Sequence, residues 1–176
     1  MKKTRILSLL LCAAVCLSLA ACAKKEEASG SKTPEELTAA YVNAITAARD
    51  DELNDFFPVM TKGGEVDPTT EEMTFALLGF TPEDVEDYGV SLSLMNVRAY
   101  AIAVVKPAQG KAETVKEGLE NYVEAQKGSF EFYLEDQYEI ASNAKLETLD
   151  DGTVLLVMCE GQDAVFDSIK TALNKA

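Results

Sequence analysis

A predicted hairpin near the carboxyl end of the chain constrains the fold more than any other feature. Two extended runs, 145–149 and 153–159, flank Asp150-Asp151-Gly152, a triplet typical of a tight turn between antiparallel strands. The run Val154–Met158 is apolar at every position, without the alternation of a strand that has one face in water. The chain therefore predicts an antiparallel sheet in which 154–158 is an interior strand.

Two more extended runs and two helices complete the predicted second half of the chain. Val90, Leu92 and Leu94 alternate with serines, the period of a half-buried strand, and 98–106 is a second run that Pro107 closes. Apolar stripes predict a long helix over 111–134 and a last helix over 163–174. The order strand, strand, helix, strand, strand, helix predicts an α+β fold, in which helices cover one face of a four-stranded antiparallel sheet.

The part of the body before these strands is predicted to be a small helical region. Thr33-Pro34-Glu35-Glu36 is a capping box with proline at the first helical position. A second helix begins at Thr69 and ends at Gly79. Thr81-Pro82-Glu83-Asp84 predicts a short third helix, which would end at Gly89.

The first 21 residues are interpreted as a lipoprotein signal peptide. Lys2, Lys3 and Arg5 precede a run that is apolar except for two serines, and about 15 residues are too few to span a bilayer comfortably. Leu19-Ala20-Ala21-Cys22 matches the pattern that bacterial lipoprotein processing reads. We therefore expect residues 1–21 to be removed and Cys22 to carry a diacylglyceryl thioether. The alternative is ordinary cleavage at the small residues, which would release a free secreted protein.

This interpretation predicts a protein anchored to the extracytoplasmic face of the cell membrane. Residues 22–32 are the lipidated cysteine and a small, charged tether, AKKEEASGSK, which reaches at most about 35 Å. Residues 33–176 form a single predicted domain. Cys12 and Cys16 leave with the signal peptide, so Cys159 is the only remaining free thiol and no internal disulfide is expected.

Charge and composition exclude several classes of function. The body contains 28 of the 30 acidic residues and only 10 of the 16 basic ones, a balance that repels nucleic acid. The chain has no histidine, which excludes histidine-dependent nucleophilic catalysis and histidine-ligated zinc. Cys159 follows an apolar run and is predicted to be a buried structural thiol. No cofactor and no catalytic residue are predicted, and a carboxylate-based hydrolase is the third-ranked function.

Four acidic residues form a candidate calcium site. Glu83, Asp84, Glu86 and Asp87 would share helix faces pairwise, and calcium prefers such oxygen ligands. The plainer interpretation is that Glu83 and Asp84 lie in the first turn of a helix, where the helix dipole stabilises negative charge, and that the other two acids are solvated.

Two aromatic residues in the stretch FEFYLEDQY are candidates for ligand contact. Phe132 and Tyr138 could stack on a sugar or a peptide, although packing of a helix end against the sheet is the plainer interpretation. Phe132 falls outside the apolar stripe of its helix, so an exposed Phe132 would mark a contact surface.

Taken together, several segments of the chain resemble a known family. TPEDVEDYGV, MNVRAYAIAVVK and DQYEIASNAKLETLDDGTVLLVM, behind a lipoprotein signal, resemble the exported lipoproteins of clostridial-type bacteria that are grouped as domain of unknown function 4358. The resemblance implies a surface lipoprotein and supplies no active-site residue.

The function expected from the sequence is therefore non-enzymatic binding. We expect a membrane-tethered module that recognises a surface protein or a small ligand. The alternative is a receptor for calcium or another solute, although one small domain lacks the two lobes of typical solute receptors.

Overall fold

The computed structural model describes residues 32–175, which contain six α-helices, a 3-10 turn and five strands. The predicted signal peptide 1–21, Cys22 and the tether up to residue 31 lie outside the described residues. In chain order the elements are α1 (Pro34–Ala47), α2 (Asp51–Phe56), β1 (Met60–Thr61), α3 (Pro68–Leu78), the 3-10 turn (Pro82–Asp84), β2 (Val85–Leu92), β3 (Ala101–Pro107), α4 (Ala112–Phe130), α5 (Glu135–Ser142), β4 (Lys145–Thr148), β5 (Val154–Met158) and α6 (Gln162–Lys175).

The strands form one antiparallel sheet in the order β1-β2-β3-β5-β4. The sheet therefore has five strands in the described residues, and the prediction of four was one short. The additional strand, β1, is only two residues long and pairs Met60 with Val90, so it leaves no periodic pattern in the sequence. The predicted hairpin is confirmed, because β4 pairs with β5, which lies inside the sheet as expected.

Helices cover both faces of the sheet, and the prediction that they cover one face is wrong. Along β3 the side chains of Ala101, Ala103 and Val105 enter one core, which α3, α4 and α5 cover. Ile102 and Val104 enter a second core, which α1 and α6 cover on the opposite face. The reason is that β3 and β5 are apolar on both faces, so each face must be shielded from water.

The predicted third helix is also wrong. Residues 82–84 form a single 3-10 turn, in which Thr81 and Asp84 cap one another, and the chain then enters β2. The capping signal acts only on neighbouring residues. Tyr88 and Val90 are buried when this segment pairs with β3 as a strand, and this tertiary packing decides the conformation. The predicted helix over 111–134 ends at Phe130, and a second helix, α5, follows after a short break.

The remaining differences lie before the sheet. Helix α1 has the predicted capping box, and a short helix that was not predicted, α2, follows it. Helix α3 begins one residue earlier than predicted, at Pro68, because Asp67 accepts hydrogen bonds from the first backbone N–H groups.

Helix α1 runs along β2 and defines two ends of the domain. Near its start, Thr38 donates a hydrogen bond to Asp87, and just beyond its end Arg49 donates one to Ser91. We call the end near Thr38 the entry end, because the chain enters the domain there. The opposite end, which we call the loop end, contains the connection 93–100 between β2 and β3, and it positions the candidate site.

Candidate functional site

Large apolar side chains are exposed together at the loop end. Within residues 32–175, six of the eight exposed large apolar side chains lie on α2, on the connection 93–100 and on the break between α4 and α5. We call this group the apolar patch; its members are Phe56, Leu94, Met95, Val97, Phe132 and Tyr133. Tyr133 joins two of the segments, because its hydroxyl donates a hydrogen bond of 3.0 Å to the Asn96 carbonyl oxygen. Phe132, a predicted contact residue, is 89% exposed.

A groove of about 580 Å³ lies beside the apolar patch, three of whose members line it, and we call it the loop groove. Phe56, Met95 and Val97 form its apolar wall on one side, and Ile140 of α5 contributes from another. Tyr100 and Cys159, both buried, lie at its base. The loop groove therefore combines exposed apolar walls with a closed base.

Arg49 links the elements beneath the patch. Its guanidinium donates hydrogen bonds to the Asn54 side chain (2.6 Å), the Ser91 hydroxyl (2.7 Å), the Phe57 carbonyl oxygen (2.7 Å) and the Tyr100 hydroxyl. These bonds connect the end of α1 to α2, β2 and the residue before β3, and a charged donor makes them stronger than neutral bonds. The base of the loop groove is thus held by four fixed contacts.

Two aromatic rings position the single cation of the groove. Phe57 and Tyr100 stack with their ring centroids 4.2 Å apart, and the guanidinium of Arg98 lies 5.1 Å from the centroid of Phe57. A guanidinium over an aromatic face is attracted by the ring electrons. Arg98 is therefore held at one side of the opening.

Carboxylates surround this opening. Asp50, Glu52 and Glu160 line the loop groove, and an adjoining cavity of about 380 Å³, which shares Glu160, adds Asp136 and Glu139. We call these five residues the acidic rim. None of the ion pairs found among residues 32–175 includes a member of the acidic rim. Five carboxylates therefore outnumber the two guanidinium groups of the site, Arg98 at the opening and Arg49 beneath the base.

The four predicted calcium candidates do not share a site. Asp84 accepts hydrogen bonds from Thr81 and pairs with Lys111 at 2.9 Å, and this ammonium group holds the pKa of Asp84 below its ordinary value. Asp87 is buried and accepts a hydrogen bond from Thr38, while Glu83 and Glu86 are exposed.

The helix that would have aligned these acids is absent, because the segment turns into β2. Across the part of the chain that the structure describes, no group of three or more potential ligands could hold a metal ion.

Cys159 is buried, as predicted. Burial raises the pKa of its thiol to about 11, so it stays protonated at neutral pH and is a poor nucleophile. Tyr138 is half-buried and packs against the core on the α4 side of the sheet, which agrees with the plainer interpretation of that residue. Neither side chain offers chemistry to the loop groove.

Most of the site was not predicted from the sequence. Leu94 was predicted to lie in a strand, and no functional role was predicted for Val97, Arg98 or the acidic rim. One signal was available: Leu94, Met95 and Val97 are apolar in a short connection between strands, where solvated residues are usual. The acidic rim left no signal, because its members come from three distant parts of the chain.

One family model matches the chain. The family described as Domain of unknown function (DUF4358) matches residues 60–159, which include all five strands, the connection 93–100 and the break after α4. No curated protein and no solved structure matches the chain. Among the described residues, no helix is long and apolar enough to cross a membrane.

Proposed function

The chain belongs to the DUF4358 family, and we propose that it is a lipoprotein of the extracytoplasmic membrane face whose domain is a non-catalytic binding module. The observation that carries the binding role is the apolar patch at the loop end. Single exposed apolar residues are common on proteins, but a contiguous group drawn from separate segments is typical of an interaction surface.

Chemical observations favour binding over catalysis. The chain has no histidine, and the thiol of Cys159 is buried with a raised pKa. The calcium alternative finds no support at residues 83–87, because Asp84 is engaged by Thr81 and Lys111, Asp87 by Thr38, and the other two acids are exposed. The loop groove, by contrast, has the volume and the apolar walls of a binding site.

The position of the patch agrees with a lipid anchor at Cys22. The chain enters the domain at the entry end, where Thr38 contacts Asp87, and β2 then separates this end from the patch by about 25 Å. The first residues of α1, which follow the proposed tether in the sequence, therefore lie at the end of the domain opposite the patch.

Metabolic labelling tests the anchor. Cells that express the chain are given labelled palmitate, with Cys22→Ala as the variant and Cys159→Ala as the matched control. We expect label in the parent and in the control, and none in Cys22→Ala, because two acyl chains hold a protein at the bilayer and require that thiol. A labelled Cys22→Ala variant would refute the proposed anchor.

Crosslinking on living cells tests the contact surface. A photo-reactive amino acid replaces Val97 in the apolar patch or, as the control, Glu117 on the exposed side of α4 near the entry end. We expect a discrete adduct from position 97 and none from position 117. Equal adducts from both positions, or cleavage of a model substrate by the purified domain without any adduct, would contradict the proposal.

A further inference from the structure

We propose that the loop groove binds a basic amphipathic segment of a protein partner, in which apolar side chains fill the groove and lysine or arginine side chains meet the acidic rim. This inference rests on the proposed binding role and specifies the chemistry of its ligand. It joins two observations, the apolar walls of the groove and the carboxylates around it, that come from different elements of the fold.

The volume of the loop groove suits anchoring side chains of a peptide. At about 580 Å³ it falls within the range of about 300–1,000 Å³ that is usual for ligand pockets. Phe56, Met95 and Val97 remain exposed on its wall, and burying them would remove apolar surface from water. The base needs little reorganisation, because Arg49 and the stack of Phe57 on Tyr100 already hold it.

Charge selects a cationic ligand. The acidic rim has five carboxylates, and among residues 32–175 no lysine or arginine lies in an ion pair with any of them. Arg98 is the one cation that lines the loop groove, and it faces the Phe57 ring. A field of one sign around a concave site raises the encounter rate of oppositely charged ligands and suppresses partners of like charge.

The same charge argues against two other occupants. A second copy would bring its own excess of acids, 28 against 10 basic residues in the body, toward the acidic rim. The chain's own segment 23–32 contains no apolar side chain larger than alanine, so it cannot fill the groove. The partner is therefore a different polypeptide that is both basic and amphipathic.

A pair of synthetic peptides provides the probe. One is a labelled 14-residue peptide of leucine and lysine in helical spacing, and its twin has glutamate in place of lysine. The protein is the mature chain from residue 22 with Cys22→Ala. The rim variant carries Glu52→Gln, Glu139→Gln and Glu160→Gln; the control variant removes the same charge at the entry end with Glu83→Gln, Glu113→Gln and Glu117→Gln.

Binding is measured by fluorescence anisotropy at low salt. We expect the lysine peptide to bind the rim variant about tenfold more weakly than the parent, because each exposed carboxylate–cation contact contributes a factor of about two to three. The control variant should lose less than about twofold, since its charges are distant from the loop groove. Replacement of Val97 by Asn should also weaken binding, because it removes an apolar contact without adding a carboxylate to the groove, and the glutamate twin should not bind.

Several results would overturn the inference. Equal losses in the rim and control variants would mean attraction to the net charge alone. Self-association in sedimentation that Val97→Asn abolishes would identify a second copy as the occupant. Stronger peptide binding after deletion of residues 22–31 would identify the chain's own segment. In each case a specific adduct from position 97 in cells would leave the proposed binding role intact, so the two failures are distinguishable.

Discussion

Two glycines on α4 predict opposite responses to the same substitution. A Cβ atom added at Gly118 would lie 2.6 Å from the Leu78 carbonyl oxygen and 2.8 Å from Cδ1 of Phe80. These distances are far shorter than van der Waals contact, and one of the atoms belongs to the backbone. At Gly128, ten residues later on the same helix, an added Cβ meets nothing within 4 Å. The absence of a side chain at Gly118 therefore allows α3 and α4 to pack closely together, whereas no contact between elements depends on Gly128.

The magnitudes follow from helix propensity and overpacking. Alanine in a helix interior is more favourable than glycine by about 1 kcal/mol, so Gly128→Ala should raise the free energy of unfolding by about 0.5–1 kcal/mol. At Gly118 the same gain is opposed by an overpacking cost at the upper part of the usual range of about 1–3 kcal/mol. Gly118→Ala should therefore lower the free energy of unfolding by about 2 kcal/mol.

Urea unfolding of the chain from residue 22 with Cys22→Ala, followed by circular dichroism, measures both variants against one parent. The two should differ by about 3 kcal/mol, which corresponds to a difference in Tm on the order of 10 °C for a domain of this size. Equal stabilisation by the two substitutions would show that α3 and α4 are not packed as closely as described, and the argument would be wrong.

Three further predictions concern charged and reactive groups. Arg49→Leu should lower the free energy of unfolding by about 3 kcal/mol, because four acceptors lose a charged hydrogen-bond donor. Urea unfolding measures this loss, and a value below about 1 kcal/mol would contradict the role of Arg49 in linking the elements beneath the patch. Lys111 lowers the pKa of Asp84 in the folded protein, so this carboxylate stabilises the fold above its unfolded pKa of about 3.9, and the effect disappears as the pH falls through the lower folded value. Asp84→Asn should therefore be less stable than the parent at pH 6, with the gap closing toward pH 2, and a constant gap in urea midpoints would refute this. Cys159 should react with a thiol reagent at pH 8 only after unfolding, and rapid reaction of the native Cys22→Ala chain would show that its burial is wrong.

Elements with strong local signals were predicted well from the sequence. The capping box at Thr33 and the turn at Asp150-Asp151-Gly152 act through neighbouring residues, so their structures could be predicted without the rest of the chain. The family could also be predicted, since the matched region contains the segments that suggested it.

The errors arise where distant contacts override a local signal. Thr81-Pro82-Glu83-Asp84 has the composition of a helix start, yet β2 follows after one turn because its backbone pairs with β3 and its side chains Tyr88 and Val90 are thereby buried. The same effect separates the four calcium candidates. The side chains of β3 are apolar on both faces, so helices must cover both sides of the sheet. The run 98–106 already contains this information, whereas the order of helices and strands does not.

The candidate site was less predictable than the fold. Phe132 could be identified because it falls outside the apolar stripe of the predicted helix 111–134, and it is exposed in the break between α4 and α5. The loop groove could not, since its walls come from α2, the connection 93–100 and α5, which are joined by hydrogen bonds from Arg49 and by one from the Ala99 N–H to Gln137. Such a site has no spacing in the sequence that distinguishes its residues from other surface residues.

The most direct test of a binding role at the loop end measures how much crosslinked adduct forms at one residue of the apolar patch when another residue of the patch is substituted. A photo-reactive amino acid at Phe132 is used on living cells, with and without Val97→Asn. We expect the adduct to fall by about tenfold with Val97→Asn, because burying an amide without a hydrogen-bond partner in an interface costs at least about 1.4 kcal/mol. The Tm should stay unchanged, since Val97 is exposed. An adduct of undiminished yield would contradict the claim that the apolar patch is a binding surface.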